Sequence, residues 1–153
     1  IACNLKIKAE NLPESLQSKV MLAQIDPVSG KIYSATGKYD NGWVEGNIRV
    51  LGHYALAVDT NAPKIIPLNP ADKKTPADPN VIKFKVTDDL SGIDHFRGTI
   101  DGNWVLFEYD LKNNLLSYTF DKKRFNFGKN HQLILEVTDF KGNTNTYKSN
   151  FFK

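Results

Sequence analysis

The chain has 153 residues, of which 41% are hydrophobic and 24% are charged. These are ordinary values for a folded protein of one or two small domains, and they exclude a disordered chain. The net charge of +3 is small and the basic residues form no long run, so we expect no nucleic-acid partner. No stretch approaches 18 apolar residues, so no transmembrane segment is predicted.

The first 60 residues alternate between apolar and polar positions, which is typical of short strands. Leu5, Ile7 and Ala9 alternate with Lys6 and Lys8, and this pattern predicts a half-buried strand. Turn sequences rich in Pro, Gly, Asn and Asp separate the apolar runs that follow. Further strands are predicted at residues 20–25, 31–35, 43–45, 48–50 and 54–58.

A break in this pattern near residue 60 predicts a domain boundary. Pro63 and Pro67 flank a short extended segment, and proline within a sheet is confined to edge strands and strand ends. We therefore expect an edge strand at 64–66 that enters a new domain, followed by a long polar loop at 69–80. The predicted domains are a small β-sandwich-like domain at 1–60 and a second domain at 61–153.

The second domain has the strand spacing of an immunoglobulin-like sandwich. Asp101-Gly102 predicts a tight hairpin turn, and one helical turn is predicted at 121–125. Together with 64–66, strands at six further positions give about seven strands in 90 residues. These six strands are predicted at 81–86, 93–100, 104–109, 115–120, 131–137 and 144–152. The predicted fold class is all-β, with two β-sandwich domains.

Acidic residues in two loops give one candidate metal site. Asp88, Asp89 and Asp94 lie in one predicted loop, and Asp139 follows a later strand. In a sandwich both loops could lie at the same end, and Ca²⁺ takes six to eight oxygen ligands. The alternative is that these residues are turn formers, which Asp commonly is. We favour the turn-forming interpretation and predict no cofactor.

Aromatic residues give a second candidate site, for a sugar ring. Trp43, Trp104 and Tyr109 could form a platform on which a ring stacks. In the predicted strand 104–109, however, Trp104 lies on one face and Tyr109 on the other. Because one face of the strand must be core, part of this aromatic set is expected to serve packing.

Several motifs resemble large envelope proteins of Gram-negative gut bacteria. They are Val-Thr-Asp-Asp-Leu-Ser-Gly-Ile-Asp at 86–94, Gly-Thr-Ile-Asp-Gly-Asn-Trp-Val at 98–105 and Leu-Glu-Val-Thr-Asp-Phe-Lys-Gly-Asn at 135–143, with further similarity at 51–65 and 109–114. In those proteins a lysostaphin-like zinc endopeptidase domain is followed by β-sandwich modules. The resemblance covers roughly residues 40–153 and implies a C-terminal region of such a protein.

The zinc ligands of that family are missing from this chain. The family carries H-x-x-x-D and H-x-H motifs, whereas Ala57, Thr99 and Leu135 stand four residues after His53, His95 and His131. No catalytic residue is carried over, and we expect a non-enzymatic chain.

Three functions remain open from the sequence. The first is an accessory module that positions or spaces the catalytic domain of an envelope peptidase, and the second is a carbohydrate-binding or adhesion module. The third, an independent enzyme, would need a convergent cluster of His, Asp and Glu. The predicted partners are peptidoglycan, another glycan or an envelope protein. The chain starts almost inside a strand pattern, so we interpret it as part of a longer protein. The resemblance implies that this protein is extracytoplasmic, in the periplasm or at the cell surface.

Overall fold

The computed structural model describes residues 2–68, 80–121, 123 and 125–153. The described chain is nearly all β, as predicted. It divides into two compact units, of which unit 1 comprises Ile1–Asn61 with Asp89–Ser91, and unit 2 comprises Ala62–Asp88 with Gly92–Lys153. The predicted loop at 69–80 lies outside the described residues, apart from Asn80.

Unit 1 contains six strands and one short helix in its described part. These are β1 (Cys3–Lys8), α1 (Glu14–Gln17), β2 (Val20–Ile25), β3 (Ile32–Thr36), β4 (Lys38–Asp40), β5 (Trp43–Ile48) and β6 (His53–Val58). The helix begins directly after Pro13, whose fixed φ suits a helix start. The strand predicted at 43–45 extends to Ile48 as β5, whereas residues 49 and 50 of the strand predicted at 48–50 are not in a strand. No helix in the described residues is long and apolar enough to cross a bilayer.

The strands of unit 1 form two antiparallel sheets around one core. One sheet has the order β1-β5-β4 and the other has the order β3-β2-β6. Val20 and Leu22 on β2 pack with Val44 on β5, and all three are fully buried. Burying a side chain of this kind contributes about 1.5–3 kcal/mol, so this cluster stabilises the unit by joining its two sheets.

Gly37 is the point at which the chain of unit 1 changes sheet. It separates β3 from β4, which lie in different sheets, and its φ is +89°. A Cβ atom at this position would lie 2.6 Å from the carbonyl oxygen of Glu45. Only glycine combines this backbone angle with such a close approach to a neighbouring strand.

The described part of unit 2 contains eight strands. These are β7 (Lys64–Pro67), β8 (Val81–Thr87), β9 (Ile93–Ile100), β10 (Asn103–Val105), β11 (Glu108–Asp110), β12 (Leu115–Thr119), β13 (Asn130–Asp139) and β14 (Thr144–Phe152). At the helical turn predicted at 121–125, the Phe125 N–H donates a hydrogen bond to the Asp121 carbonyl at 2.9 Å. The described residues of that stretch are not helical.

The sheet order of unit 2 is that of an immunoglobulin-like sandwich. One sheet runs β7-β8-β12-β11 and the other runs β10-β9-β13-β14. When the strands are lettered along the chain, the first sheet corresponds to the A-B-E-D sheet of the constant-type immunoglobulin fold. The second corresponds to its C-F-G sheet, with β10 added beside the C strand. The predicted edge strand is confirmed, because β7 pairs only with β8.

The core of unit 2 lies between these two sheets. Ile82, Phe84 and Val86 alternate along β8 and face Leu133, Leu135 and Val137, which alternate along β13 in the other sheet. The period-two pattern of both segments therefore predicted which side chains are buried.

The single strand predicted at 104–109 is wrong. Residues 103–105 form β10 beside β9, whereas residues 108–110 form β11 beside β12 in the opposite sheet. Between them Phe107 is buried in the core, next to Phe84 at a ring-centroid distance of 6.1 Å. The chain crosses from one sheet to the other here, which the alternation of apolar residues did not reveal.

Candidate functional site

A candidate site is an open cleft of about 520 Å³ in unit 2. Its walls come from the β9–β10 hairpin, from the crossing between β10 and β11, and from the segment between β12 and β13. Small-molecule sites commonly have volumes of about 300–1,000 Å³. The lining includes Trp104, Leu106, Glu108, Tyr118, Asn126 and Lys129.

A tight turn places Asp101 at one end of this cleft. Asp101 and Gly102 both have positive φ, 51° and 78°, as the two central residues of a type I′ hairpin turn require. The Asp101 carboxylate accepts hydrogen bonds from the Gln132 N–H at 2.9 Å and from His131 Nδ1 at 2.8 Å. These hydrogen bonds hold the pKa of the Asp101 carboxyl below its usual value, and the one from Gln132 contributes most.

His131 connects that turn to the segment before β13. It is only 3% exposed, and its Nε2 lies 2.8 Å from the backbone carbonyl oxygen of Asn126. Both ring nitrogens therefore face oxygen atoms, Nδ1 the Asp101 carboxylate and Nε2 the Asn126 carbonyl. A His–Asp pair can serve a nucleophile as a general base, but here neither nitrogen is turned towards one. The geometry makes His131 a structural link.

Aromatic packing also holds in place the segment before β13. The Phe125 ring lies 4.6 Å from the Phe120 ring, 4.5 Å from the His131 ring and 5.1 Å from the Phe127 ring, measured between centroids. The edge-on orientation of Phe120 and Phe125, with an interplanar angle of 73°, is a favourable arrangement for aromatic pairs. The floor of the cleft is thus held by the core of the unit.

The predicted aromatic platform is divided among three places. Trp104 lines the cleft and is 62% exposed, whereas Trp43 belongs to β5 in unit 1 and is 44% exposed. Tyr109 is half-buried, with its ring edge-on to Phe96 at 5.8 Å, and burial raises the pKa of its hydroxyl. Tyr109 therefore serves packing, and of the three only Trp104 lines the cleft.

Tyr118 is an aromatic side chain of the cleft that the sequence did not single out. Burial and the charge of Asp121 both raise the pKa of its hydroxyl, burial contributing more. The hydroxyl is therefore a neutral donor and acceptor near neutral pH. Its position on β12 follows from the apolar alternation there, but its place in the cleft depends on the crossing at residue 107.

Of the four predicted metal ligands, the fold of unit 2 brings Asp88 and Asp139 together. One carboxylate oxygen of each lies within 4.8 Å of the other. Asp88 accepts a hydrogen bond from the Gly92 N–H at 2.8 Å. Asp139, which is 1% exposed, accepts from the Lys141 and Asn143 N–H groups at 2.7 and 2.8 Å and from the Asn143 amide at 2.7 Å.

The other two predicted ligands are exposed and hydrogen-bonded elsewhere. Asp89 accepts from the Asn61 amide at 3.3 Å, and Asp94 lies 2.9 Å from His95 Nδ1. Turn-forming Asp residues typically accept hydrogen bonds from N–H groups two to four residues later, and Asp88 and Asp139 accept such bonds. The calcium site stays a prediction.

One signal in the sequence could have identified His131. Position 131 shares its face of β13 with Leu133, Leu135 and Val137, and that face is buried. A histidine on a core face needs partners for both ring nitrogens. The Asp101-Gly102 turn, which the sequence did predict, supplies one of them.

Comparison with known proteins gives a match in the first part of the chain. The model of the family described as Zu5-like domain matches residues 1–59. None of the curated proteins matches the chain. Residues 1–59, which contain all six strands of unit 1, are therefore similar to Zu5-like domains.

Proposed function

We propose that this chain is a non-catalytic interaction module of a bacterial cell-envelope protein related to lysostaphin-like zinc peptidases. In this role it positions or spaces a catalytic domain carried elsewhere in the parent protein, in the periplasm or at the cell surface. The observation that carries the proposal is that each unit has its own pair of sheets and its own hydrophobic core. Units of this kind are typical of modules that fold without help from the rest of a chain.

The role of the resembling motifs supports this proposal. The motif at 86–94 contains Asp88, which holds the turn before β9, and the motif at 135–143 contains Asp139, which holds the turn before β14. The motif at 98–105 contains Asp101, which ties the β9–β10 turn to β13. Residues that carry the resemblance therefore build turns of the sandwich, as expected for a scaffold without chemistry of its own.

The proposal is tested in the parent protein. We expect that removing residues 1–153 lowers the rate of cleavage of insoluble cell-wall material but leaves the cleavage of a short soluble peptide unchanged. Equal loss on both substrates would point to a contribution to the catalytic site itself. A parent reading frame that lacks a zinc-peptidase domain would contradict the proposal outright.

A second candidate is a carbohydrate-binding or adhesion module. The exposure of Trp104 and Leu106, 62% and 61%, favours it, because two large apolar side chains in one concave surface are unusual without a ligand. The two candidates are compatible, since an accessory module can position an enzyme by holding its substrate. A blank glycan-binding screen would remove the second candidate and leave the first intact.

A further inference from the structure

We propose that the cleft of unit 2 is a saccharide-binding site, in which one pyranose ring stacks on the indole of Trp104. This inference rests on the proposed binding role and names its ligand class. The described residues that line the cleft all belong to unit 2.

Trp104 is exposed although its side chain is large and apolar. Trp104 stands on the edge strand β10, and the core beside it is already filled by Phe107, which is 3% exposed. Trp104 is therefore not needed to close the core. Leaving an indole in water forgoes the free energy of its burial, and a ligand that covers it recovers that free energy.

Polar side chains line the same cleft as the indole. Glu108 and the Asn126 side chain are exposed and line the same cleft. A carboxylate accepts strong hydrogen bonds from hydroxyl groups, and an amide both donates and accepts them. A pyranose ring has an apolar C–H face for the indole and a rim of hydroxyl groups for these side chains. An apolar ligand would leave the polar groups unsatisfied, at a cost.

Hydrogen bonds hold the walls of the cleft in place. Asp101, His131 and Asn126 form a continuous hydrogen-bonded chain, with both contacts to the His131 ring at 2.8 Å. This chain fixes the β9–β10 turn against the segment that carries Asn126. Walls that are already ordered lower the entropy lost on binding, which favours recognition of a small, weakly bound ligand.

The test uses the chain of residues 1–153 with three soluble probes: chitotetraose, cellotetraose and a stem tetrapeptide of peptidoglycan. Nuclear magnetic resonance titration follows the two indole N–H signals, and calorimetry gives the dissociation constants. We expect a saccharide to shift the Trp104 signal and leave the Trp43 signal in place. Trp104→Ala should weaken binding at least about tenfold, as truncation of a central aromatic contact commonly does.

Two further variants keep the result interpretable. Trp43→Ala is the matched control, because Trp43 is also an exposed tryptophan but does not line the cleft. Glu108→Gln keeps the shape of the cleft and removes a charged acceptor, so binding should weaken while the amide spectrum stays that of the folded chain. Unchanged affinity in both Trp104→Ala and Glu108→Gln would overturn the proposal.

The probes also distinguish the source of the saccharide. Binding of chitotetraose that is competed by isolated peptidoglycan sacculi would support the glycan strand, and binding of cellotetraose alone would support another polysaccharide. Binding of the stem peptide alone, or no shift with either saccharide at about 10 mM, above the range of weak specific binding, would overturn the proposal. Such a failure would leave the spacing role untouched, because that role is measured by cleavage in the parent protein.

Discussion

The ring of Phe107 lies directly against the backbone of Gly98, so that a Cβ atom at position 98 would overlap ring atoms Cδ2 and Cε2. Phe107 is the residue at which the chain crosses between the sheets of unit 2, and Gly98 lies on β9, the strand that β10 pairs with. The absence of a side chain at 98 thus makes room for the aromatic ring that fills the core at the crossing.

Gly98→Ala should therefore destabilise unit 2. Overpacking a filled core costs typically about 1–3 kcal/mol, because neither backbone nor ring can move without disturbing other contacts. Urea denaturation followed by circular dichroism measures the change. Gly52→Ala is the control, because a Cβ there would meet the flexible Gln24 side chain at 3.2 Å, and we expect a change within about 0.5 kcal/mol. Similar losses in both variants would contradict the packing argument.

Asp101→Asn should flatten the acid limb of the stability profile. The pKa of Asp101 is lowered in the folded chain, so its contribution is present above its unfolded value of about 3.9 and is lost as pH falls through the folded value. Asparagine tolerates the positive φ of this turn, so the backbone is preserved. The free energy of unfolding, measured from about pH 6 to pH 2, should fall less steeply in the variant. Parallel profiles would contradict the prediction.

His131→Phe should cost stability although it keeps an aromatic ring in place. The ring would still lie against Phe125 and Phe151, but the Asn126 carbonyl and the Asp101 carboxylate would each lose a donor. The loss of one such hydrogen bond costs about 0.5–1.5 kcal/mol. Thermal unfolding of His131→Phe and of Asp101→Asn, together with the double variant, tests this link. If the two residues act through one bond, the double variant should lose less than the sum of the single losses.

Asp139→Ala should loosen the turn between β13 and β14. Its carboxylate accepts three hydrogen bonds from residues 141 and 143, and their loss should lower the free energy of unfolding by about 1–3 kcal/mol. The unsubstituted chain tests the calcium prediction, because an ion that binds the folded state raises its melting temperature. We expect equal melting temperatures in calcium and in a chelator. A rise with calcium that Asp139→Asn abolishes would instead support a metal site.

The sequence by itself determined most of the strands and, where apolar residues alternate, the faces that they bury. Alternation along 81–86 and 131–137 follows from the two-residue period of a strand, and Asp101-Gly102 is a local turn with its own backbone requirement. These features depend on neighbours in the chain, so they can be read without knowing which strands pair.

Only the tertiary structure decided how those strands and side chains meet. The split of 104–109 between two sheets depends on Phe107 fitting over Gly98, nine positions earlier in the sequence. The site depends on the same step, because the crossing exposes Trp104 while Tyr109 packs against Phe96. Likewise Asp101 and His131 are 30 positions apart and meet only because β9 pairs with β13. Contacts between distant positions arise from packing and register, which no local pattern encodes.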